Sequence, residues 1–495
     1  MAISLAVGCA RKPAAPSRWS RLVVAYTSGP PSLLSYMSTD EISASILRNV
    51  YEPLVDFARD LTLVPCLAES WYTPDELTWV FRLRPGVRLH DGRPLQTRQV
   101  ATFLERASRD PNARRSLGKA IATVEAPDGR TLVIRTTRPY GWLPNSLAGL
   151  PIAVGAQREG ALPVGTGPYA VKTWTPGGDT VLEAFADHRD GPPSIRRLEF
   201  RVVPDTHDGV QMLRRGEIDL MVDVPSEDQP ALQAQPGIRT LSRPGLRVVF
   251  LGMNTLKESK RELHPLRDLR VRRAIALAID RKTIIESQLA GNADLVDELV
   301  APDVFGAHGD LPPRPFDLAV ARRLLASARP AGGVRMTLDF VPGRYPNIEA
   351  VAEAVASGLR DLGIEVAAKP SDLATFRERV SVKHQADLFL LGWLSSTGDA
   401  GTTFENLIQS PAPLAFGVYS SYSNPEVDRL LTDIARPIGA QDRKALLLEV
   451  GRIVYDDVPV VPLYRQRDVY ACAAGLEFTP RVDRRIRGAE IRWLR

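Results

Sequence analysis

The clearest alternation of apolar and polar positions lies in the second half of the chain. From Val334 to Phe340 every second residue is apolar, which is the period of a half-buried strand. From Ile348 to Leu362 apolar residues recur at steps of three and four, which predicts a helix with one buried face. A short strand at 364–366, a short helix at 371–381 and an apolar strand at 387–391 follow. Strands that alternate with helices predict parallel strands joined by right-handed crossovers.

Loops at the carboxyl ends of two of these strands carry candidate site residues. Arg344 and Tyr345 follow the first strand, and Trp393 follows the last. Because ligands lie beyond the carboxyl ends of parallel strands, a cation and two aromatic residues on one rim indicate a small-molecule site. A plainer interpretation places Trp393 in the core and leaves Arg344 as a solvated loop charge, since large apolar residues near strand ends usually pack inside.

Weaker patterns define the rest of the chain. Ser38–Glu41 has the sequence of a capping box and predicts the start of a helix. Asp268 is placed to cap a helix predicted over 269–287. Short alternating runs between about residues 50 and 160, with a hairpin over 121–136, predict a β-rich module. Short apolar strands are predicted at 248–254 and 458–463.

Composition narrows the classes of function. The chain has 495 residues, enough for about two to four domains. It is 44% hydrophobic and 24% charged, which is typical of a globular protein. No run approaches the ~18 consecutive apolar residues of a membrane span. The net charge of +5 is spread along the chain without a basic block, so nucleic-acid binding is not expected.

No arrangement of residues predicts catalysis or a metal site. The three cysteines and six histidines are scattered. The sequence has no Gly-x-Ser-x-Gly elbow, His-Glu-x-x-His motif or Walker loop. The Gly165–Tyr169 turn leads into a predicted strand where a phosphate loop needs a helix. We therefore expect a binding protein with no cofactor and no bound metal, and not an enzyme.

The N-terminal run Leu5–Cys9 is small and apolar and ends in Gly-Cys, before a stretch rich in Pro, Ala and Ser. It resembles the end of a bacterial lipoprotein signal, in which the cysteine is lipidated and becomes the N-terminus. The run is shorter than the ~7–15 apolar residues of such signals and follows no positive charge, which an upstream start codon would explain. The alternative is an ordinary terminus with an incidental cysteine. A disulfide between Cys66 and Cys472 is left open.

A series of motifs resembles one family, the extracytoplasmic solute-binding proteins of peptide- and nickel-type ABC transporters. This is bacterial solute-binding protein family 5, which includes dipeptide- and oligopeptide-binding proteins. The similarity runs from about Leu22 to near the C-terminus. Each motif alone is weak, but their order and spacing together are specific. The motifs are Asn49–Leu54, Leu77–Val87, His90–Gly92, Gly165–Tyr169, Asp268–Ala274 and Ala278–Arg281.

The resemblance implies a periplasmic-binding-protein-like α/β fold, with two α/β lobes, a hinge and an inserted β-rich module. Residues 1–20 would be the remnant of the lipoprotein signal and a linker. Two lobes joined by crossing segments would close around a ligand by hinge motion. The expected divisions are 21–49, 160–255 and 456–495 for lobe I, 50–159 for the inserted module, and 256–455 for lobe II.

The resemblance also implies ligand-binding roles for Arg344, Tyr345, Trp393, Ser396 and Asp399. In dipeptide-binding members, an arginine matching Arg344 holds the ligand carboxylate, and a tryptophan matching Trp393 lines the pocket. Peptide binders carry an aspartate for the ligand's α-ammonium where this chain has Ser396, and Asp399 matches a structural aspartate better. Because a hydroxyl cannot neutralise a buried ammonium, a free peptide amino terminus is not the expected group unless Asp399 reaches the ligand.

The expected function is the binding component of an ABC transporter. The protein would capture a small solute, a peptide or peptide-like molecule with a carboxylate, in the periplasm or otherwise outside the cytoplasmic membrane. It would act as a monomer, held to the membrane by a lipid on Cys9, and would deliver the solute to a permease powered by a separate ATPase. Alternatives with the same fold are a ligand-binding sensor and a receptor for a metal chelate, an opine or a sugar. A hydrolase is the alternative from a third class.

Overall fold

The computed structural model describes residues 18–35, 40–110, 120–154, 162–255, 264–330, 333–410, 422–436 and 439–494. The predicted lipidation site, Cys9, lies outside these residues. The helices are α1 Glu41–Val50, α2 Thr97–Arg109, α3 Leu143–Ala148, α4 Thr206–Arg214, α5 Gln229–Gln233, α6 Leu269–Ala278, α7 Arg281–Gln288, α8 Leu318–Ala328, α9 Ile348–Asp361, α10 Leu373–Arg377, α11 Ala400–Leu407, α12 Pro425–Ile434 and α13 Ala440–Asp457. The strands are β1 Arg21–Tyr26, β2 Val55–Phe57, β3 Leu63–Pro65, β4 Ala68–Tyr72, β5 Thr78–Leu83, β6 Ile121–Glu125, β7 Thr131–Thr136, β8 Tyr169–Trp174, β9 Thr180–Ala184, β10 Arg197–Val202, β11 Leu220–Val222, β12 Ile238–Met253, β13 Ala293–Asp294, β14 Arg335–Phe340, β15 Glu365–Pro370, β16 Leu388–Leu394, β17 Val460–Ala473, β18 Leu476–Glu477 and β19 Arg492–Trp493.

One mixed sheet runs through the molecule. Its strands lie in the order β15-β14-β16-β12-β17-β11-β1-β10-β9-β8, and β13 pairs with β17. Strand β14 pairs in parallel with β15 and β16, and β1 pairs in parallel with β10 and β11. The predicted parallel strands of the second half are therefore confirmed, as is the α/β fold class.

Two long antiparallel strands, β12 and β17, join the two ends of this sheet, and we call them the crossing strands. They pair with each other, and in addition β12 pairs with β16 while β17 pairs with β11. The sequence predicted only their apolar parts, 248–254 and 458–463. Outside those parts, charged residues such as Arg243 and Arg467 interrupt the apolar pattern that the prediction relied on.

Residues 55–136 form small sheets of their own. Strands β4, β5, β7 and β6 make a four-stranded antiparallel sheet, and β2 pairs with β3. The predicted hairpin is confirmed as β6 and β7, with the Asp128 carboxylate accepting hydrogen bonds from the N–H groups of Arg130 and Thr131 at its turn. The exact limits of an inserted domain stay a prediction.

One predicted helix is wrong, and the predicted start of another lies partly outside the described residues. Helix α1 begins at Glu41 and is capped by Asp40, whose Oδ1 accepts from the N–H of Ser43 at 2.7 Å. Ser38, which opens the predicted capping box, lies outside the described residues. The single helix expected over 269–287 is two helices, because Asp280 caps α7 with its own carboxylate. A short polar side chain that can bond the backbone ends one helix and starts another.

The two cysteines that the structure describes are not bonded to each other. Cys66 and Cys472 are both free and buried. The disulfide that the sequence left open is therefore absent from the structure.

The Gly165–Tyr169 motif is a close packing contact between β8 and the end of α1. A Cβ atom on Gly165 would lie 2.1 Å from the carbonyl oxygen of Val50, and one on Gly167 would lie 2.6 Å from that of Asn49. The His90 ring fastens the same turn, with Nδ1 accepting from the N–H of Gly165 at 3.2 Å and Nε2 donating to the carbonyl of Gly167 at 3.0 Å. These contacts explain the glycines without any phosphate.

We expect Gly165→Ala to lower the free energy of unfolding by about 1–3 kcal/mol or more, because the methyl group would collide with backbone that cannot rotate away. Gly129→Ala is the matched control, since a Cβ there meets no atom within 4 Å and the residue does not have positive φ. The control should be neutral or stabilise by up to about 1 kcal/mol. Denaturant unfolding measures both, and equal stability of the two variants would contradict the packing argument.

Candidate functional site

The loop at residues 341–347 leaves the carboxyl end of β14 and enters α9. Two of its residues are left-handed, Gly343 with φ of 66° and Asn347 with φ of 48°. The N–H of Gly343 donates to the Glu349 carboxylate at 2.8 Å, so the turn is fastened to the first turn of α9. This conformation leaves Arg344 exposed while Tyr345, the next residue, is buried.

Tyr345 anchors the loop to strand β16. Its hydroxyl donates to the carbonyl oxygen of Gly392 at 3.1 Å and accepts from Nε of Arg344 at 3.2 Å. The tyrosine ring lies directly over Gly392, since a Cβ on that residue would come within 2.8 Å of the ring. Gly392 has no side chain, and this leaves room for the Tyr345 ring. The structure therefore brings the loop of Arg344 and Tyr345 against strand β16.

Trp393 lies on the other face of β16. Successive side chains of a strand point to opposite faces, and Trp393 packs half-buried against the core cluster that contains Val248 and Phe389. Tyr345 belongs to a different cluster, with Val249 and Leu390. The two aromatic residues expected on one rim are therefore separated by the strand itself, a point that spacing along the sequence did not reveal.

The loop after β16 holds Ser396 and Asp399 in different settings. Ser396 is exposed. Asp399 is 1% exposed, caps α11 by accepting from the N–H of Gly401 at 2.8 Å, and receives two hydrogen bonds from Arg443 at 2.5 and 2.7 Å. Both of its carboxylate oxygens are engaged, so Asp399 fixes the loop and presents no free acid to a ligand in this conformation.

Arg247 is a residue that the sequence analysis missed. It lies where the register of the crossing strands shifts, between Pro244 and Val248, and such irregularities re-aim side chains. Its guanidinium carbon lies 5.6 Å from the centre of the Tyr345 ring, and that of Arg344 lies 5.7 Å from the same point. The sequence did contain a sign of this role, since Arg247 is the single charged residue in the apolar run 246–251. A charge in such a run is rarely buried unless it is paired.

A chain of charges links Arg247 to the start of α1 and to the C-terminal segment. Arg247 donates to one carboxylate oxygen of Glu41 at 2.5 Å, and Arg484 donates to the other at 2.8 Å. Arg484 also pairs with Asp223, and its Nε lies 3.1 Å from Oδ1 of Asp468. These five side chains come from distant parts of the sequence, so no local motif could have predicted them.

Asp468 is the most deeply buried acid of this chain of charges. It is 3% exposed, and its Oδ2 has no hydrogen-bond partner among the described residues. Burial raises the pKa of Asp468 to about 7, although Arg484 acts to lower it, while Asp223 and Glu41 raise it further. Asp468 therefore titrates close to neutral pH.

An open cleft of about 220 Å³ adjoins this region. It begins next to the Tyr345 loop, with Pro346 and Asn347 in its lining, and none of the five predicted site residues lines it. Its remaining lining residues are Thr206, Asp223, Val224, Pro225, Ser226, Glu227, Gln229, Leu289, Asn292, Tyr464, Gln466, Arg467 and Val469. Most of these residues have polar side chains, and within the described parts of the chain no cluster of His, Cys, Asp or Glu could hold a metal ion.

Asp468 makes stability depend on pH. Its pKa is higher in the folded protein than the value of about 3.9 in an unfolded chain, so the folded state binds more protons, and its contribution to the free energy of unfolding falls as pH rises from about 4 to about 7. We expect Asp468→Asn to remove this decline. The stability of the variant relative to wild type should rise across that range, by at most about 4 kcal/mol. Denaturant unfolding across the range measures the difference.

Glu286→Gln provides the control, because it removes a carboxyl whose side chain is 63% exposed. Its difference from wild type should stay nearly constant between about pH 5 and pH 8. An equally constant difference for Asp468→Asn would contradict the raised pKa.

Known proteins resemble this chain along nearly its whole length. The glutathione-binding protein GsiB of Salmonella typhi is 28% identical over 493 residues, covering 96% of this chain and 94% of that protein. The structure of HbpA2 from Haemophilus parasuis superimposes with a TM-score of 0.84 at 24% identity, covering 96% of this chain and 99% of that one. The periplasmic binding protein DppA from Helicobacter pylori, in complex with the peptide STSA, gives a TM-score of 0.77 at 22% identity, with 96% and 98% covered.

Helices among the described residues are too short or too polar to cross a membrane. The family model for bacterial extracellular solute-binding proteins, family 5 Middle, matches residues 62–412. That match spans most of the chain, including β14, β16 and the loops that carry Arg344 and Trp393. This chain therefore belongs to family 5 of the bacterial extracellular solute-binding proteins, which are the substrate-binding components of ABC importers and not enzymes.

Proposed function

We propose that this protein captures a small carboxylate-bearing solute, a peptide or peptide-like molecule, and delivers it to a permease powered by a separate ATPase. The observation that carries the proposal is the state of Arg344. It is exposed at the carboxyl end of β14, its Nε is held by the Tyr345 hydroxyl, and it pairs with no carboxylate among the described residues. A fixed guanidinium without a counter-ion is suited to an anion supplied by the ligand.

Arginine fits this role for a physical reason. Its planar guanidinium can make two parallel charge-assisted hydrogen bonds to one carboxylate, which fixes the orientation of the ligand as well as its charge. Tyr345 restricts the side chain before the ligand arrives, so less conformational entropy is lost on binding. Trp393 lies on the other face of β16 and takes no part in this contact.

The charge of the loop after β16 supports a carboxylate as the group recognised there. Ser396 offers a hydroxyl, and both oxygens of Asp399 are occupied by Arg443 and the cap of α11. No acid of this loop is then available for an ammonium group, which would remain uncompensated. The glutathione-binding relatives and the DppA–peptide complex are consistent with a peptide-like ligand.

Capture would involve closure of two lobes about the crossing strands. The proposed lobes are residues 21–49, 160–255 and 456–495 on one side and 256–455 on the other, with 50–159 inserted. Strand β12 pairs with β16 in one half of the main sheet, and β17 pairs with β11 in the other half, so the two crossing strands join the halves. The polar cleft beside Pro346 and Asn347 lies between residues of both proposed lobes, where closure would shrink it.

We expect Arg344→Ala to weaken binding of a carboxylate ligand by about 30- to several thousand-fold, since truncating one partner of a buried charge pair costs on the order of 2–5 kcal/mol. Calorimetry with N-acetylated di-alanine and tri-alanine, each against its C-terminal amide, measures this loss, and acetylation removes the ammonium for which the loop has no acid. The amides should bind wild type and Arg344→Ala almost equally.

Arg335→Ala is the matched control, because that guanidinium lies at the other end of β14 and is 81% exposed. It should bind like wild type. Wild-type affinity of Arg344→Ala for the acids would show that the site is assigned wrongly.

We also propose a lipid anchor on Cys9, which would hold the protein at the outer side of the membrane. The support is the Leu5–Cys9 run of the sequence. Expressed in its host from an upstream start, the protein should sediment with membranes, and Cys9→Ala should appear in the soluble fraction. A Cys9→Ala protein that stays equally membrane-bound would contradict the anchor.

A further inference from the structure

Two guanidinium groups approach one aromatic ring at the candidate site. Those of Arg344 and Arg247 lie 5.7 and 5.6 Å from the centre of the Tyr345 ring. The ring cannot move away easily, because its hydroxyl bonds the Gly392 carbonyl and its face covers a residue without a side chain. Tyr345 is therefore a common neighbour of the two cations, and an aromatic ring attracts each of them.

The two arginines differ in what balances their charge. Arg344 has no carboxylate partner in the described part of the chain, whereas Arg247 donates to Glu41 at 2.5 Å. Glu41 comes from the first turn of α1, and it also accepts a hydrogen bond from Arg484 at 2.8 Å. Gln466 is the only other hydrogen-bond partner seen for Arg247 among the described residues, at 3.4 Å.

Burial favours an exchange of partners. The side chains of Arg247 and Glu41 are 21% and 30% exposed, so the pair is partly accessible to solvent and is not fully buried. Arg484, only 13% exposed, would continue to neutralise Glu41 if Arg247 turned to another anion. A carboxylate between Arg247 and Arg344 would then gain two cationic partners at the loss of one internal bond.

We propose that Arg247 is a second anion-binding residue of the ligand site, and that Glu41 is an internal carboxylate that the ligand's carboxylate displaces from it. This inference rests on the proposed function and deepens it, since it assigns the ligand anion a second cation on a crossing strand. It also gives a reason for selectivity. A neutral ligand cannot displace Glu41, so the site discriminates against the amide form of the same molecule.

The experiment measures carboxylate preference, defined as the dissociation constant of N-acetyl-tri-alanine amide divided by that of N-acetyl-tri-alanine. Arg247→Met keeps most of the side-chain volume and removes the charge, so it should lower the preference about 10- to 100-fold. Glu41→Gln keeps the shape and removes the competing charge, so it should raise the preference about 3- to 30-fold. Thermal unfolding of each variant checks that it is folded.

Glu426 and Arg429 provide the matched control pair. Glu426 also lies in the first turn of a helix and pairs with an arginine, at 2.7 Å, but on α12. Glu426→Gln and Arg429→Met should leave the preference at its wild-type value, because they change the same kind of surface ion pair away from the site.

The outcomes separate this inference from the proposed function. If Arg344→Ala abolishes the preference and Arg247→Met does not change it, the inference is overturned and the proposed function stands. If neither variant changes it, the site assignment falls. If Glu41→Gln lowers the preference as Arg247→Met does, Glu41 only positions the arginine and the displacement is wrong. If wild type binds neither peptide, the peptide-like ligand class falls, and this inference falls with it.

Discussion

The backbone ladder between strands β12 and β17 is the constraint on which the rest of the structure depends. It runs from Ile238 to Gly252 on one strand and from Ala473 to Val460 on the other, and it is interrupted at two places. Each crossing strand continues the sheet in a different direction, β12 towards β16 and β17 towards β11. Any relative movement of the two ends of the sheet must therefore twist these two strands together.

The same ladder sets the chemistry of the site. Arg247 lies at the first interruption, and Asp468 lies in the partner strand three residues from Arg465, which pairs with Val248. Charges are tolerated there because they come in partnered sets that include Glu41, Asp223 and Arg484. A partly buried network of ion pairs would discriminate between ligands better than an exposed one. A ligand charge that finds no opposite charge there loses its hydration without compensation.

Sequence reasoning worked where local pattern and local structure coincide. The period of Val334 to Phe340 and of α9 is decided by one buried face, so the order of strands and helices could be predicted. It failed where two local signals compete and where a distant residue decides the outcome. At Asp280 a local cap interrupts a continuous apolar stripe, and the extension of β17 depends on its distant partner β12. The contact of Tyr345 with Gly392, and the placement of Trp393 behind it, needed the register of β16.

The two free cysteines have a practical consequence. Cys472 is fully buried and Cys66 is 5% exposed, and burial raises the pKa of both thiols above the ordinary range. A buried thiol that stays protonated reacts slowly with alkylating reagents, because the thiolate is the nucleophile. In the described part of the chain, a cysteine introduced at an exposed position would then be the fastest to react. With Cys9 lipidated or replaced, a single fluorophore could be attached beside the cleft without removing Cys66 or Cys472, which makes the protein a ready scaffold for an optical sensor of its own ligand.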